Sequence, residues 1–218
     1  MVCLVLVMVF LVSIIPACTP KVNGAMPRYA AGDNWVYRWV TGGQTYTVTT
    51  TVTGQDSVDG EDCLVFETTF DPAYQSVVSI TNKYKKSNLD LVFIDYKTDK
   101  PDGSFTSIVV EAHTDKPFYP LEVNKVVTET DYQEITFGNE SIATSENSTL
   151  IFATRVEKIE SVRVAAGTFS CFKVLKYDDT GNITSISWRS DKVKLLQVKT
   201  LDMSAPEDTY ELISYSLK

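Results

Sequence analysis

The chain has 218 residues, 44% of them apolar, a formal charge of −8 and a single histidine. That apolar share is enough to bury a core, which excludes wholesale disorder. An acidic chain repels phosphate, which excludes nucleic acid as a main partner, and one histidine excludes every catalytic or metal scheme that needs two.

The chain opens on Met1–Ala17, an almost unbroken apolar run without a charge. Such a run is predicted to be a signal peptide or lipoprotein leader. Ile15, Ala17 and Cys18 stand at the −3, −1 and +1 positions of a pattern that resembles the lipobox of prokaryotic lipoproteins, in which the thiol of Cys18 would be acylated. An ordinary secretory signal or an uncleaved anchor is the alternative. Each version places the protein outside the cytoplasm and tethers or exports it. Residues 18–28 read as a linker, and 29–218 as a single β-rich domain.

Val, Ile and Thr number 56 among residues 18–218, against 21 for Ala and Leu. Branching at Cβ suits a pleated sheet, so strands are expected throughout. Trp35, Tyr37 and Trp39 alternate with Val36 and Arg38. Tyr46, Val48, Thr50 and Val52 then share one face, with Thr45, Thr47, Thr49 and Thr51 on the other. This two-residue period is that of a half-buried strand. Phe172 and Val174 repeat the pattern, as do Ile213, Tyr215 and Leu217 at the end of the chain. Turn residues fall between the runs, at Gly42-Gly43, Asp59-Gly60, Ala166-Gly167 and Thr180-Gly181-Asn182. The expected fold is mainly β: an antiparallel curved sheet, half-barrel or sandwich, with few or no helices beyond the leader.

The chain also reads as two related meanders, 29–115 and 116–218. Val52, Asp59-Gly60 and Cys63 in the first correspond to Val156, Gly167 and Cys171 in the second, and Tyr84 corresponds to Trp188. The second half is longer, and the polar segment 137–149 is the expected place of an inserted loop. In an oxidising compartment Cys63 and Cys171 suggest one disulfide, favoured by their matching positions, with two buried free thiols as the alternative.

Several short motifs carry a family resemblance. Gly32-Asp33 with Trp35 and Tyr37, Tyr119-Pro120-Leu121, Ala166-Gly167-Thr168-Phe169 with Cys171, and Trp188 with Ser190 resemble a broad group of exported, uncharacterised bacterial and archaeal proteins, many of them lipoproteins. Some share the curved-sheet architecture of the LolA/LolB lipoprotein carriers, and the resemblance implies that fold without implying any catalytic residue. Two positions depart from the group: Asn124 stands where glycine is usual, and Asp191–Lys194 has no glycine.

Chemistry is sparse. No nucleophile elbow, zinc helix or phosphate loop occurs, and neither a cofactor nor a metal site is expected. His113 is read as a solvated or structural imidazole. Asp95, Asp99 and Asp102 have the wrong spacing for a calcium loop. Lys83, Lys85 and Lys86 are read as the protected edge of a strand or a contact for anionic headgroups. The function expected is that of a non-catalytic, membrane-tethered extracytoplasmic protein. It would bind a lipid or other apolar ligand on its sheet through Trp35, Tyr37, Trp39, Tyr84 and Trp188. The alternative is a surface scaffold or interaction module whose aromatics only fill a core.

Overall fold

The structure is a computed structural model that describes residues 22–100, 104–138 and 142–218; the leader and Cys18 lie outside them. Its first six strands are β1 (Asn34–Thr41), β2 (Gln44–Val58), β3 (Glu61–Tyr74), β4 (Val77–Lys85), β5 (Leu91–Thr98) and β6 (Phe105–Thr114). The second six are β7 (Val126–Gly138), β8 (Ala143–Val164), β9 (Gly167–Tyr177), β10 (Ile183–Arg189), β11 (Gln197–Asp202) and β12 (Thr209–Ser216). A 3-10 turn at Asp191–Val193 is the one helical element among the described residues.

Every strand pairs antiparallel with its sequence neighbours, and β12 returns to pair with β1. The sheet is therefore a closed twelve-stranded barrel, which corrects the expectation of an open curved sheet, half-barrel or sandwich. The two-residue period is the same for an open and a closed sheet, so it could not separate them. Closure comes from aromatic packing at the seam. Trp35, Tyr37 and Trp39 of β1 stand opposite Tyr215, Leu212 and Tyr210 of β12. The rings of Tyr37 and Tyr210 stack with centroids 4.5 Å apart.

The boundary at 115/116 falls between β6 and β7, leaving six strands on each side. Cys63 lies on β3 and Cys171 on β9, six strands apart around the ring in either direction. Matching positions in the two halves of a closed ring are diametrically opposed. Both cysteines are buried free thiols, so the structure has the alternative to a disulfide. The segment 137–149 also differs from expectation. It continues the β7–β8 hairpin as strand, with Phe137 opposite Thr144 and Tyr132 opposite Thr149. Among the described residues, 143–152 pair with β7 alone, because β9 begins its pairing at Ala153.

The outer wall carries ion pairs beside exposed apolar residues such as Val109, Tyr132 and Ile151. Arg38, Glu211 and Lys199 form one rung, with Lys199 Nζ 2.8 Å and Arg38 Nη2 3.6 Å from the Glu211 carboxylate. Lys83 reaches Asp56 at 2.6 Å and Lys173 reaches Glu157 at 2.7 Å. Lys83 thus belongs to an ion pair on a fully paired strand and does not guard an edge.

One end of the barrel is closed. Residues 22–33, the β6–β7 connection and the β10–β11 connection fold across it around two apolar clusters. Trp35, Phe66, Val193 and Leu212 belong to one, and Leu121, Phe172, Val174 and Leu195 to the other. The Trp35 indole N–H donates to the Val193 carbonyl at 3.1 Å. Gly24 passes so close to Leu121 that an added Cβ would lie 1.9 Å from the Leu121 carbonyl oxygen, so only glycine fits there. The two positions that lack the expected glycine both adopt left-handed backbone, Asn124 at φ 70° and Lys194 at φ 55°. Asparagine tolerates this conformation well.

Asp33, with no exposed surface, ties this end to the seam. Its carboxylate accepts from the backbone N–H of Ala30 at 2.7 Å and of Lys218 at 2.8 Å, and from the Lys194 ammonium. Burial pushes its pKa up, but these hydrogen bonds outweigh burial and hold it below the ordinary value. The Asp33→Asn variant should lose about 3 kcal/mol of stability, because Lys194 is left without its counter-charge. A lower urea midpoint at unchanged m value is the expected reading. In the wild type the Asp33 contribution is complete above the unfolded carboxyl pKa of about 3.9 and is lost as pH falls through the lower native value.

Candidate functional site

Above the closed end the barrel encloses a cavity of about 520 Å³. Its walls follow from strand alternation: inward positions on neighbouring strands share a rung, so one lining residue fixes its partners. Asn82 lines the cavity. It stands opposite Phe66 on β3 and Ile94 on β5, and the same rung runs on through Ile108 to Ile135.

Three zones result. The middle is lined by short hydroxyl side chains, among them Thr50, Thr68, Ser185, Ser187 and Thr200. These leave space where bulkier inward residues would fill a barrel solid. The closed end is ringed by Tyr29, Tyr84 and Tyr119 around Arg189. Toward the opposite end the inward face of β5–β8 carries Ile94, Ile108, Ile135, Phe137 and Leu150, interleaved with the polar Thr106, Gln133, Thr144, Glu146 and Ser148. Phe137 is 40% exposed and Leu150 47% exposed although both occupy inward registers. The barrel is therefore open to water on this side.

Charge is concentrated inside. Glu129 and Asp131, two residues apart on β7, both face inward and lie within hydrogen-bonding reach. Burial, and then the Asp131 charge, push the Glu129 pKa up to about 7. Burial raises Asp131 as well, against the hydrogen bond from Glu129 and the charge of Lys176. Lys176 is lowered by burial and held up by the same two carboxylates. Its ammonium sits 3.5 Å from the centroid of the Phe152 ring, a cation–π contact. The tyrosines Tyr29, Tyr37, Tyr84 and Tyr119 are all raised by burial, which keeps their hydroxyls protonated.

Of the five aromatics read from the sequence, Tyr37 and Tyr84 line the cavity. Trp35 is core beneath it, fully buried and hydrogen-bonded to Val193. Trp39 joins Tyr46, Phe70 and Tyr74 in an aromatic cluster, its ring 4.4 Å from that of Tyr74. Trp188 points the other way. It shares a rung with Lys173 and Lys199 on the outer wall, and its indole donates to Glu160 at 2.7 Å. Its neighbours Ser187 and Arg189 hold the inward positions. His113 is exposed beside Glu111 at 3.0 Å. Asp95 lies on β5, and Asp102 falls outside the described residues.

The Glu129 pKa has a measurable consequence. Between the unfolded value of about 4.3 and about 7 the native state holds a proton that the unfolded chain has lost. Stability therefore falls as pH rises through that window. Glu129→Gln should flatten this decline in a melting series from pH 5 to 8, whereas an unchanged slope would contradict the assignment.

No curated protein matches the chain. Among solved structures, the chain is similar to a protein of Parabacteroides distasonis ATCC 8503 named a "putative lipoprotein". The two share 13% identity with a TM-score of 0.43, over 90% of this chain and 100% of the other. Residues 38–196 match the DUF3108-like family. That match runs from β1 to the β10–β11 connection and takes in Tyr84, Glu129, Lys176 and Arg189, so the chain belongs to the DUF3108-like family.

Proposed function

We propose that the protein is an exported, membrane-tethered and non-catalytic binder that holds a lipid or other apolar ligand inside its barrel. The observation that carries this reading is the cavity of about 520 Å³ continuing toward inward-facing apolar residues that water reaches, Phe137 and Leu150. That volume lies within the range of about 300–1,000 Å³ typical of small-molecule pockets. Leaving apolar side chains wet costs about 25 cal/mol for each Å² that a ligand would otherwise cover. A protein with no ligand would gain stability by filling the lumen with larger side chains, yet its middle is lined with Thr and Ser. Tethering would come from the leader Met1–Ala17 and acylation of Cys18.

One feature favours the scaffold alternative: the free edge of β8 along 143–152 offers main-chain groups to a partner strand.

Extraction and mass spectrometry of molecules that co-purify with the full exported chain separates the two. The binder reading expects a stoichiometric apolar compound, lost from a Thr68→Trp variant that keeps its β-type circular dichroism. A wild-type protein free of any such compound, but retaining a protein partner, would support the scaffold. Cys18→Ser should move the protein out of the membrane fraction; unchanged fractionation would reject the lipid anchor.

A further inference from the structure

We infer that the ligand of the lumen is an amphiphile with an anionic head, carboxylate or phosphate, and that its head docks on Arg189. The inference rests on the reading of the barrel as a ligand binder and names the chemistry of that ligand.

Most charged groups inside the barrel have a polar partner. Lys176 lies on the same wall as the Glu129–Asp131 pair, two strands away over the Phe152 ring, Asp90 at the cavity wall accepts from the Asn88 amide at 2.6 Å, and Lys194 is paired with Asp33. Arg189 differs from these. Among the described residues it forms no ion pair with any carboxylate, and its Nε–H has no hydrogen-bond partner although it is shielded from solvent. It lines the cavity, hydrogen-bonds Tyr119 and lies over the Phe118 ring, 5.7 Å from its centroid. Tyr29, Tyr37 and Tyr84 all lie within its electrostatic reach. A guanidinium inside a protein is expensive unless an anion satisfies it. Its planar fork of donors fits a carboxylate or phosphate through two parallel hydrogen bonds. The buried, protonated Tyr84 hydroxyl adds a neutral donor to the same place, while the Tyr29 hydroxyl donates to the Lys194 carbonyl at 2.8 Å.

The position of Arg189 then orients the ligand. It ends β10, at the closed end, where the next residues turn across the barrel. A head held there has the hydroxyl-lined middle above it and the apolar residues Ile108, Ile135, Phe137 and Leu150 beyond. The chain of a single-tailed amphiphile runs along that axis toward the open end. A ligand in the reverse sense would bury its tail among Arg189 and the tyrosines and leave those apolar residues wet.

The test compares three ligands with the same eighteen-carbon tail on the purified full chain, at one fixed concentration of an uncharged detergent. They are oleate, oleoyl lysophosphatidate and oleyl alcohol. The expected result is that at least one anion binds tenfold or more tightly than the alcohol. Arg189→Met should abolish this preference while leaving the affinity for the alcohol within about twofold. The anion that loses more identifies the head as carboxylate or phosphate. Tyr84→Phe provides a milder variant should the methionine variant fold poorly, and it should weaken the anion alone, by about threefold. Equal binding of the alcohol and both anions by the wild type overturns this inference and leaves the binder reading standing. Binding of none of the three overturns both. A preference for the anion that survives both substitutions overturns the assignment to Arg189.

Discussion

Everything in this molecule depends on the meeting of its first and last strands. A twelve-stranded meander that stayed open would carry two long unpaired edges and have no lumen. The seam is held by aromatic stacking, Tyr37 on Tyr210, along its length and by Asp33 at one end. The carboxylate of Asp33 gathers the Ala30 backbone, the Lys194 side chain and the backbone of Lys218. One buried charge thus ties together the start of β1, the β10–β11 connection and the last residue of the chain. Because those segments also form the closed end, closure of the sheet and closure of the floor are one event.

With the sheet closed, the usual relation between polarity and exposure no longer holds. The outer wall carries salt-bridged rungs such as Arg38–Glu211–Lys199, as a water-facing surface should. The inner wall, however, is mixed: interleaved apolar and polar near the open end, hydroxyl-lined in the middle and charged on two sides. Such a lumen is expensive to hold empty. Tyrosines fit it well because each offers an apolar ring to its neighbours and a hydroxyl that can still bond, as that of Tyr29 does to the Lys194 carbonyl.

This inversion explains what was legible in the sequence and what was not. Strand content and antiparallel order could be read from β-branching, alternation and the turns. Of the aromatics read from the sequence, Tyr37 and Tyr84 line the cavity. The polar part of the site was missed because Ser185, Ser187 and Arg189 alternate on β10 like any solvent-facing stripe. Only ring closure turns that stripe inward and sends Trp188 out to Glu160. The lone signal was the pairing of small hydroxyl residues with an arginine on one face, which has no meaning until the sheet is known to close. The same cause misled the reading of Cys63 and Cys171, since equivalence between halves implies proximity in a stacked sheet and opposition in a ring.

The N-terminal strap has a consequence for how the protein stands in space. Val22 packs in the apolar cluster at the closed end, and Gly24 is clamped against Leu121 there. Val22, to which the preceding segment is joined, thus sits at the floor of the barrel, on the side away from its aperture. Held to a membrane through that segment, the barrel would stand upright like a cup on its base, with its aperture facing the aqueous space. Cargo would then pass between the lumen and whatever lies opposite the anchoring bilayer. A scoop that dips into its own membrane would need its mouth and its tether on the same side.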